Sequence, residues 1–259
     1  MTEYRKGLSY SSLNLARSAV SSLGLKCEGI SIGSHHMVAR YLRGVYNLRP
    51  PKAKYADVWD TDQVLDYLKG MDQKNISLKA LTQKLAMLIA LTNACRIQTL
   101  YLLSIKDMKM TENHVTLTLS SLQKHNRPNM NLKPIKLIAF PEEEKLCVVK
   151  TFEEYLHRTS RLRQNEQGLF ISVRKPHKRV AKSSISRWVK ELMTEAGIDT
   201  DVYQAHSVRP ASASKAKSRN VPIDLIMNTA GWTKESTFAR FYDKDISTNR
   251  YPNAILNGT

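Results

Sequence analysis

Apolar residues recur every three to four positions over most of this chain and every second position over two short stretches. The pattern therefore predicts helices with a small sheet among them. Between Tyr10 and Leu23, the residues Leu13, Leu15, Ala16, Ala19, Val20 and Leu23 make a broad helical face, with serines near its start and Gly24 at its end. A second helix is predicted from about Ser34, carrying Met37, Val38, Tyr41, Leu42 and Val45, with Arg40 and Arg43 off that stripe. The run Leu48-Arg-Pro-Pro-Lys-Ala-Lys-Tyr55 then breaks the period. Two prolines make it a stiff, extended connector. A helical front domain over 1–48, a linker over 49–57 and a second domain over 58–259 are the expected division.

In the second domain Asp60 caps a helix with Val64, Leu65 and Leu68. Ser77 caps the next, whose Leu78, Leu81, Leu85, Leu88 and Ile89 form the cleanest amphipathic stripe. Val115–Leu119 and Ile135–Ala139 alternate as strands around the polar, basic turn Gln123-Lys-His-Asn-Arg-Pro-Asn129, a predicted β-hairpin with Lys124 near its tip. A helix over about 145–157, a strand Leu169–Ser172 and a basic loop from Arg174 to Arg179 follow. Ser183 caps a helix holding Ile185, Trp188, Val189, Leu192 and Met193, and Gly197 closes it. Pro210 opens a helix over Ala211–Ser218, since proline is tolerated in a first turn. The expected class is mainly α with a small antiparallel sheet (α+β).

Charge changes the picture. Lys and Arg total 40 against 23 Asp and Glu, a net charge of +17 and a pI near 9.8. That excess points to a polyanion, most often nucleic acid. The expected phosphate contacts are Arg40, Arg43, Lys52, Lys54, Arg127, Lys175, Lys178 and Arg179. No apolar run approaches the roughly 18 residues of a spanning helix, so no membrane partner is expected. Cys27, Cys95 and Cys147 lie far apart with no zinc spacing. Each is expected to be a small, buried, reduced residue in a reducing compartment. The close pairs Asp60/Asp62 and Asp243/Asp245 suit capping and surface roles better than a metal, and no cofactor is expected.

The stretch Tyr203–Asp245 concentrates the candidate chemistry: His206 and Arg209 in an H-x-x-R step, then Gly231-Trp232, then Tyr242. A guanidinium forks onto two phosphate oxygens, an imidazole relays a proton and a phenol can attack phosphorus. Upstream, Arg96 directly follows a strongly apolar helix, where its charge needs an anionic partner or water. Lys124 completes the ordered set Arg96, Lys124, His206, Arg209, Trp232 and Tyr242.

In identity, order and approximate spacing this set resembles the tyrosine recombinase (lambda-integrase-like) family, from about Trp59 onward. The segments Gly7–Ser21, Val45–Pro51, His206-Ser-Val-Arg209 and Ala230–Phe238 look like the recombinases of DIRS-type eukaryotic retrotransposons. The resemblance implies a catalytic domain behind a short DNA clamp, abbreviated against the four-helix clamp of relatives. It implies that Tyr242 attacks a DNA phosphate to give a 3′-phosphotyrosyl link and a free 5′-hydroxyl. His206 would relay protons, Arg96 and Arg209 would hold the non-bridging oxygens, and Lys124 would protonate the departing oxygen. Trp232 would bond a phosphate oxygen and pack the helix of Tyr242. The partners implied are double-stranded DNA and further copies of the chain, as a dimer or tetramer, with no small-molecule substrate. The setting implied is a mobile element in the nucleus. A catalytically silent DNA-binding protein of the same fold and a type IB topoisomerase-like enzyme carry the same charge and similar residues. Three positions depart from the pattern. Tyr242 stands 10 places after Trp232, one more than in many relatives; Thr99 stands where many carry an acid; and Pro210 follows Arg209.

Overall fold

The computed structural model describes residues 6–51, 55–120, 134–233, 235, 238, 239 and 244–247. The chain divides into two compact units, residues 1–54 and 55–259.

The front unit pairs helix α1 (Tyr10–Ser22) with helix α2 (His36–Leu48). Ser9 caps α1 by accepting the Ser12 N–H at 3.2 Å, which satisfies one of the otherwise orphaned first-turn donors. Between the helices, β1 (Lys26–Cys27) and β2 (Ile30–Ser31) form a tight hairpin. Its turn residues Glu28 and Gly29 both have positive φ, as the right-handed twist of a two-residue hairpin requires. The unit's core is small: Leu13, Leu42 and Val45, with the rings of Tyr10 and Tyr46 edge to face. The broad apolar face expected on α1 is not buried as such, because Leu15 and Leu23 are about 70% exposed. Cys27 is likewise exposed rather than buried, since it sits on a two-residue strand with no layer over it.

The second unit is built around one helix. Strand β3 (Val58–Trp59) leads into α3 (Thr61–Lys69), capped by Asp60, and then α4 (Leu78–Thr92), capped by Ser77. Every residue of α4 from Leu81 to Leu91 is buried. The stripe of leucines is therefore only part of its contact surface, and Thr82, Gln83 and Lys84 are enclosed as well. Such burial requires that polar side chains find partners inside. Lys84 does so by donating to the carbonyls of Leu68 and Met71 and to Gln73 Oε1.

Helix α5 (Ile97–Leu102) runs directly into β4 (Leu103–Met110), which pairs with β5 (His114–Leu119), and β5 with β6 (Ile135–Ile138), all antiparallel. A bulge between Ser104 and Lys109 breaks the alternation of β4. Helix α6 (Val148–Thr159) and helix α7 (Lys182–Glu195) pack against α4. The expected strand at 169–172 is present only as isolated bridges, Ser104 to Gly168 and Ile171 to Arg179. Ala181, not Ser183, precedes α7, so Ser183 lies in its first turn. Helix α8 (Val208–Ser218) starts before Pro210, which occupies its third position, where no intrahelical N–H bond is lost. Helix α9 (Ile223–Ala230) follows, and β7 (Ile246–Ser247) returns to pair in parallel with β3. The unit is mainly helical with small sheets. Among the described residues no helix is long and apolar enough to cross a membrane.

Candidate active site

Four segments of the second unit meet at one cleft. The first is the turn after α4. Ala94 takes a left-handed conformation (φ 44°), uncommon for a residue with a Cβ, and this swings the chain from α4 into α5 within four residues. Arg96 stands at the head of α5, half-buried, with its carbonyl accepting the Thr99 N–H at 2.8 Å.

The second segment is α8, which carries Arg209. Its guanidinium is 1% exposed. Nη1 donates to the Ala94 carbonyl at 2.5 Å and Nη2 to the Ala230 carbonyl at 2.7 Å. A guanidinium has five N–H groups in a rigid fork, and these bonds use one on each arm to tie the turn after α4 to the end of α9.

The third is the end of α9. Gly231 adopts φ +68°, a conformation glycine reaches without steric cost, and closes a Schellman cap: Trp232 N–H to Met227 O at 2.9 Å and Gly231 N–H to Asn228 O at 3.3 Å. The reversal lays the Trp232 ring under Arg209, with Cζ 4.4 Å from the centroid, within cation–π range. Trp232 also packs against Phe238 in a cluster with Ala94, Ala213, Ile226 and Ala230.

The fourth is β6, whose Lys136 side chain lines the cleft beside Arg96, Arg209 and Asn228. The cleft encloses about 500 Å³. Sequence reasoning missed Lys136, because on an alternating strand an outward lysine is indistinguishable from a solvated one. Cys95, beneath the cleft, is pushed up to about 12 by burial, against the pull of Arg209 and then Arg96. Its thiol stays neutral and is no candidate nucleophile.

His206 lies on a 3₁₀ turn (Ala205–Ser207) just before α8 and is exposed, while the next residue, Ser207, is fully buried. The cleft thus brings Arg96, Arg209, Gly231 and Lys136 together, with Trp232 stacked behind. Lys124 and Tyr242 lie outside the described residues, as do Lys52, Lys54 and Arg127. The described residues around Tyr242 are held: Phe238 is buried in the Trp232 cluster, and the Lys244 N–H donates to Ser214 Oγ of α8 at 3.2 Å. Of the expected DNA contacts, Arg40, Arg43, Lys175 and Lys178 are exposed. Arg179 instead turns inward, donating to the Leu103 carbonyl at 3.1 Å and lying over the Tyr101 ring. Asp60 and Asp62 hold Lys215 of α8 at 3.2 and 2.6 Å, an ion pair between α3 and α8.

A profile of the phage integrase family matches residues 58–247. The chain belongs to the phage integrase family. No curated protein sequence matches it. Among solved structures, XerA recombinase shares its fold with a TM-score of 0.56 and 16% identity, over 98% of this chain and 84% of that one. The Tn1549 transposon integrase in complex with transposon right end DNA gives 0.58 and 15%, over 98% and 81%. XerH recombinase bound to palindromic difH substrate in a post-cleavage complex gives 0.57 and 14%, over 97% and 73%. In this phage integrase family chain, the match begins on β3 and ends on β7, the two strands that pair across the second unit.

Proposed function

We propose that the protein is an active tyrosine recombinase that cuts and rejoins double-stranded DNA through a 3′-phosphotyrosyl intermediate, as the integrase or recombinase of a mobile element. The observation that carries this reading is the convergence of Arg96 and Arg209, from segments 113 positions apart, on one cleft. Two guanidiniums lining one cleft stabilise the extra negative charge of a five-coordinate phosphorus more than that of the resting diester. The net charge of +17 favours the DNA backbone as the source of that phosphate.

In this reaction the Tyr242 oxygen bonds to phosphorus as its proton passes toward His206. The bond from phosphorus to the 5′-oxygen breaks, and Lys124 supplies the proton that oxygen takes up. A phenol titrating near ~10 is mostly protonated at neutral pH, so the acceptor and the cationic cleft are both required. Reversal by another 5′-hydroxyl reseals the strand without an external energy source. The DNA-bound XerH and Tn1549 structures share the fold and support DNA as substrate. The flanking segments Gly7–Ser21 and Ala230–Phe238 support a DIRS-type retrotransposon setting. With it come a nuclear location and assembly into dimers or tetramers on paired sites.

A nicked suicide substrate tests the chemistry. The wild-type chain is expected to form a covalent protein–DNA adduct in EDTA, and Tyr242→Phe to form none while binding DNA equally well. Tight wild-type binding without adduct would make the protein a silent binder. Restoration of cleavage only by magnesium would count against the mechanism, and relaxation of any plasmid by monomers would mark a topoisomerase.

A further inference from the structure

The proposed reaction needs the imidazole at 206 and the phenol at 242 in a fixed relation, yet they stand 36 positions apart. One short element touches the segments of both. Trp59, on β3, donates its indole N–H to Ser207 Oγ at 2.9 Å. Both groups are buried, at 3% and 0% exposure. In such surroundings a lost partner costs the full desolvation penalty of the group left behind, so this bond fixes the turn strongly.

The neighbours of Trp59 grip the same turn. Asp57 Oδ1 accepts from Tyr203 Oη at 2.6 Å. Tyr55 Oη accepts the Gln204 N–H at 3.3 Å, and its ring lies 5.6 Å from that of Tyr203. Residues 203, 204 and 207, on either side of His206, are thus all held from residues 55–59. His206 itself is exposed, and the turn that carries it is held on both sides by these bonds.

The backbone of the same strand pairs with the chain that follows Tyr242. Val58 pairs with Ile246 and Trp59 with Ser247 in parallel register, and the Val58 N–H donates to the Asp245 carbonyl at 2.9 Å. Strand β3 therefore sets the turn of His206 and the strand after Tyr242 against a common reference.

We propose that Trp59 is a positioning residue for the reaction: through Ser207 it orients the turn of His206, and through the β3–β7 ladder it registers that turn against the strand following Tyr242. This role rests on the phosphotyrosyl reading above. It gives the first strand of the unit a purpose beyond packing, and it explains why a serine, rather than an apolar residue, is fully enclosed next to His206.

Two variants separate the bond from the fold. Trp59→Phe keeps a large ring and removes the N–H, and Ser207→Ala removes the acceptor. In single turnovers on saturating nicked DNA, each is expected to form adduct about tenfold more slowly than wild type, since small misplacements of a reacting group are expensive in rate. DNA Kd should stay close to wild type, and the fall in Tm from the orphaned partner should leave both variants folded at the assay temperature. The decisive readout is a double-mutant cycle with His206→Gln, which should cost far less in either variant background than in wild type. Adduct rates equal to wild type in both variants, or losses that multiply fully with His206→Gln, overturn the positioning role. A wild-type chain that forms no adduct overturns the phosphotyrosyl reading and this role with it. Adduct in wild type together with unimpaired variants overturns this role alone.

Discussion

Arg209 bonds the Ala94 carbonyl at 2.5 Å from a helix 115 residues further along the chain, so the second arginine of the cleft also fixes the turn that presents the first. With Ala230 bonded on its other arm and Trp232 stacked on its plane, Arg209 is the hub of the cleft as much as a ligand for phosphate. Arg96 is half-buried at the head of a short helix.

The two arginines should therefore fail differently. Arg209→Ala leaves two carbonyls without this donor and should cost about 2–4 kcal/mol of stability as well as adduct formation. Arg96→Ala should abolish adduct formation with a stability change within about 1 kcal/mol. Urea unfolding of both variants beside a single-turnover assay checks this. Equal destabilisation by the two would show that Arg209 is no hub.

Lys136 should act on binding more than on chemistry. It lines the cleft from β6 as an exposed amine. Lys136→Ala should weaken DNA binding about evenly across sequences and lower the slope of log K against log salt by about one. Fluorescence anisotropy from low to moderate salt measures that slope. An unchanged slope would place Lys136 away from the backbone.

Much of the second unit was readable beforehand, and the failures have physical causes. Asp60 and Ser77 cap where expected because a side-chain acceptor before an apolar period has few other uses. Arg96 stood out because a charge straight after an apolar run needs a partner, and Arg209 and Trp232 because they fall in the ordered set with His206 and Tyr242 that resembles the recombinase pattern. Strand β4 was missed because its bulge destroys the alternation that marks a strand. The Trp59–Ser207 bond was invisible because it joins residues 148 positions apart, neither of which is unusual where it stands. On α1 the period was real but the inference from it failed: an apolar face is an opportunity for burial, and Leu15 and Leu23 lie exposed.

Lys84 offers a test of the core. Burial lowers its ammonium to about 8, with Asp72 pulling the other way, below the 10.5 of an exposed lysine. Above pH 8 the folded chain releases this proton while the unfolded chain still holds it. The unfolded state then binds more protons, and this group's contribution to stability rises with pH up to about 10.5. At neutral pH, Lys84→Met should cost about 1–3 kcal/mol, because the Leu68 and Met71 carbonyls lose their buried donor. Between pH 8 and 10 the gap between wild type and variant should widen. Denaturant titrations at pH 7, 8.5 and 10 follow it, and a gap that narrows would mean that the folded core holds the amine's proton more tightly than the unfolded chain does.

Because α4 is enclosed on every side from Leu81 to Leu91, it acts as a ruler between its serine cap and the cleft. Removing one residue from it would rotate everything downstream by about 100° and draw it back by about 1.5 Å, carrying Arg96 off its mark. Its length, more than the identity of any one leucine, sets where Arg96 stands.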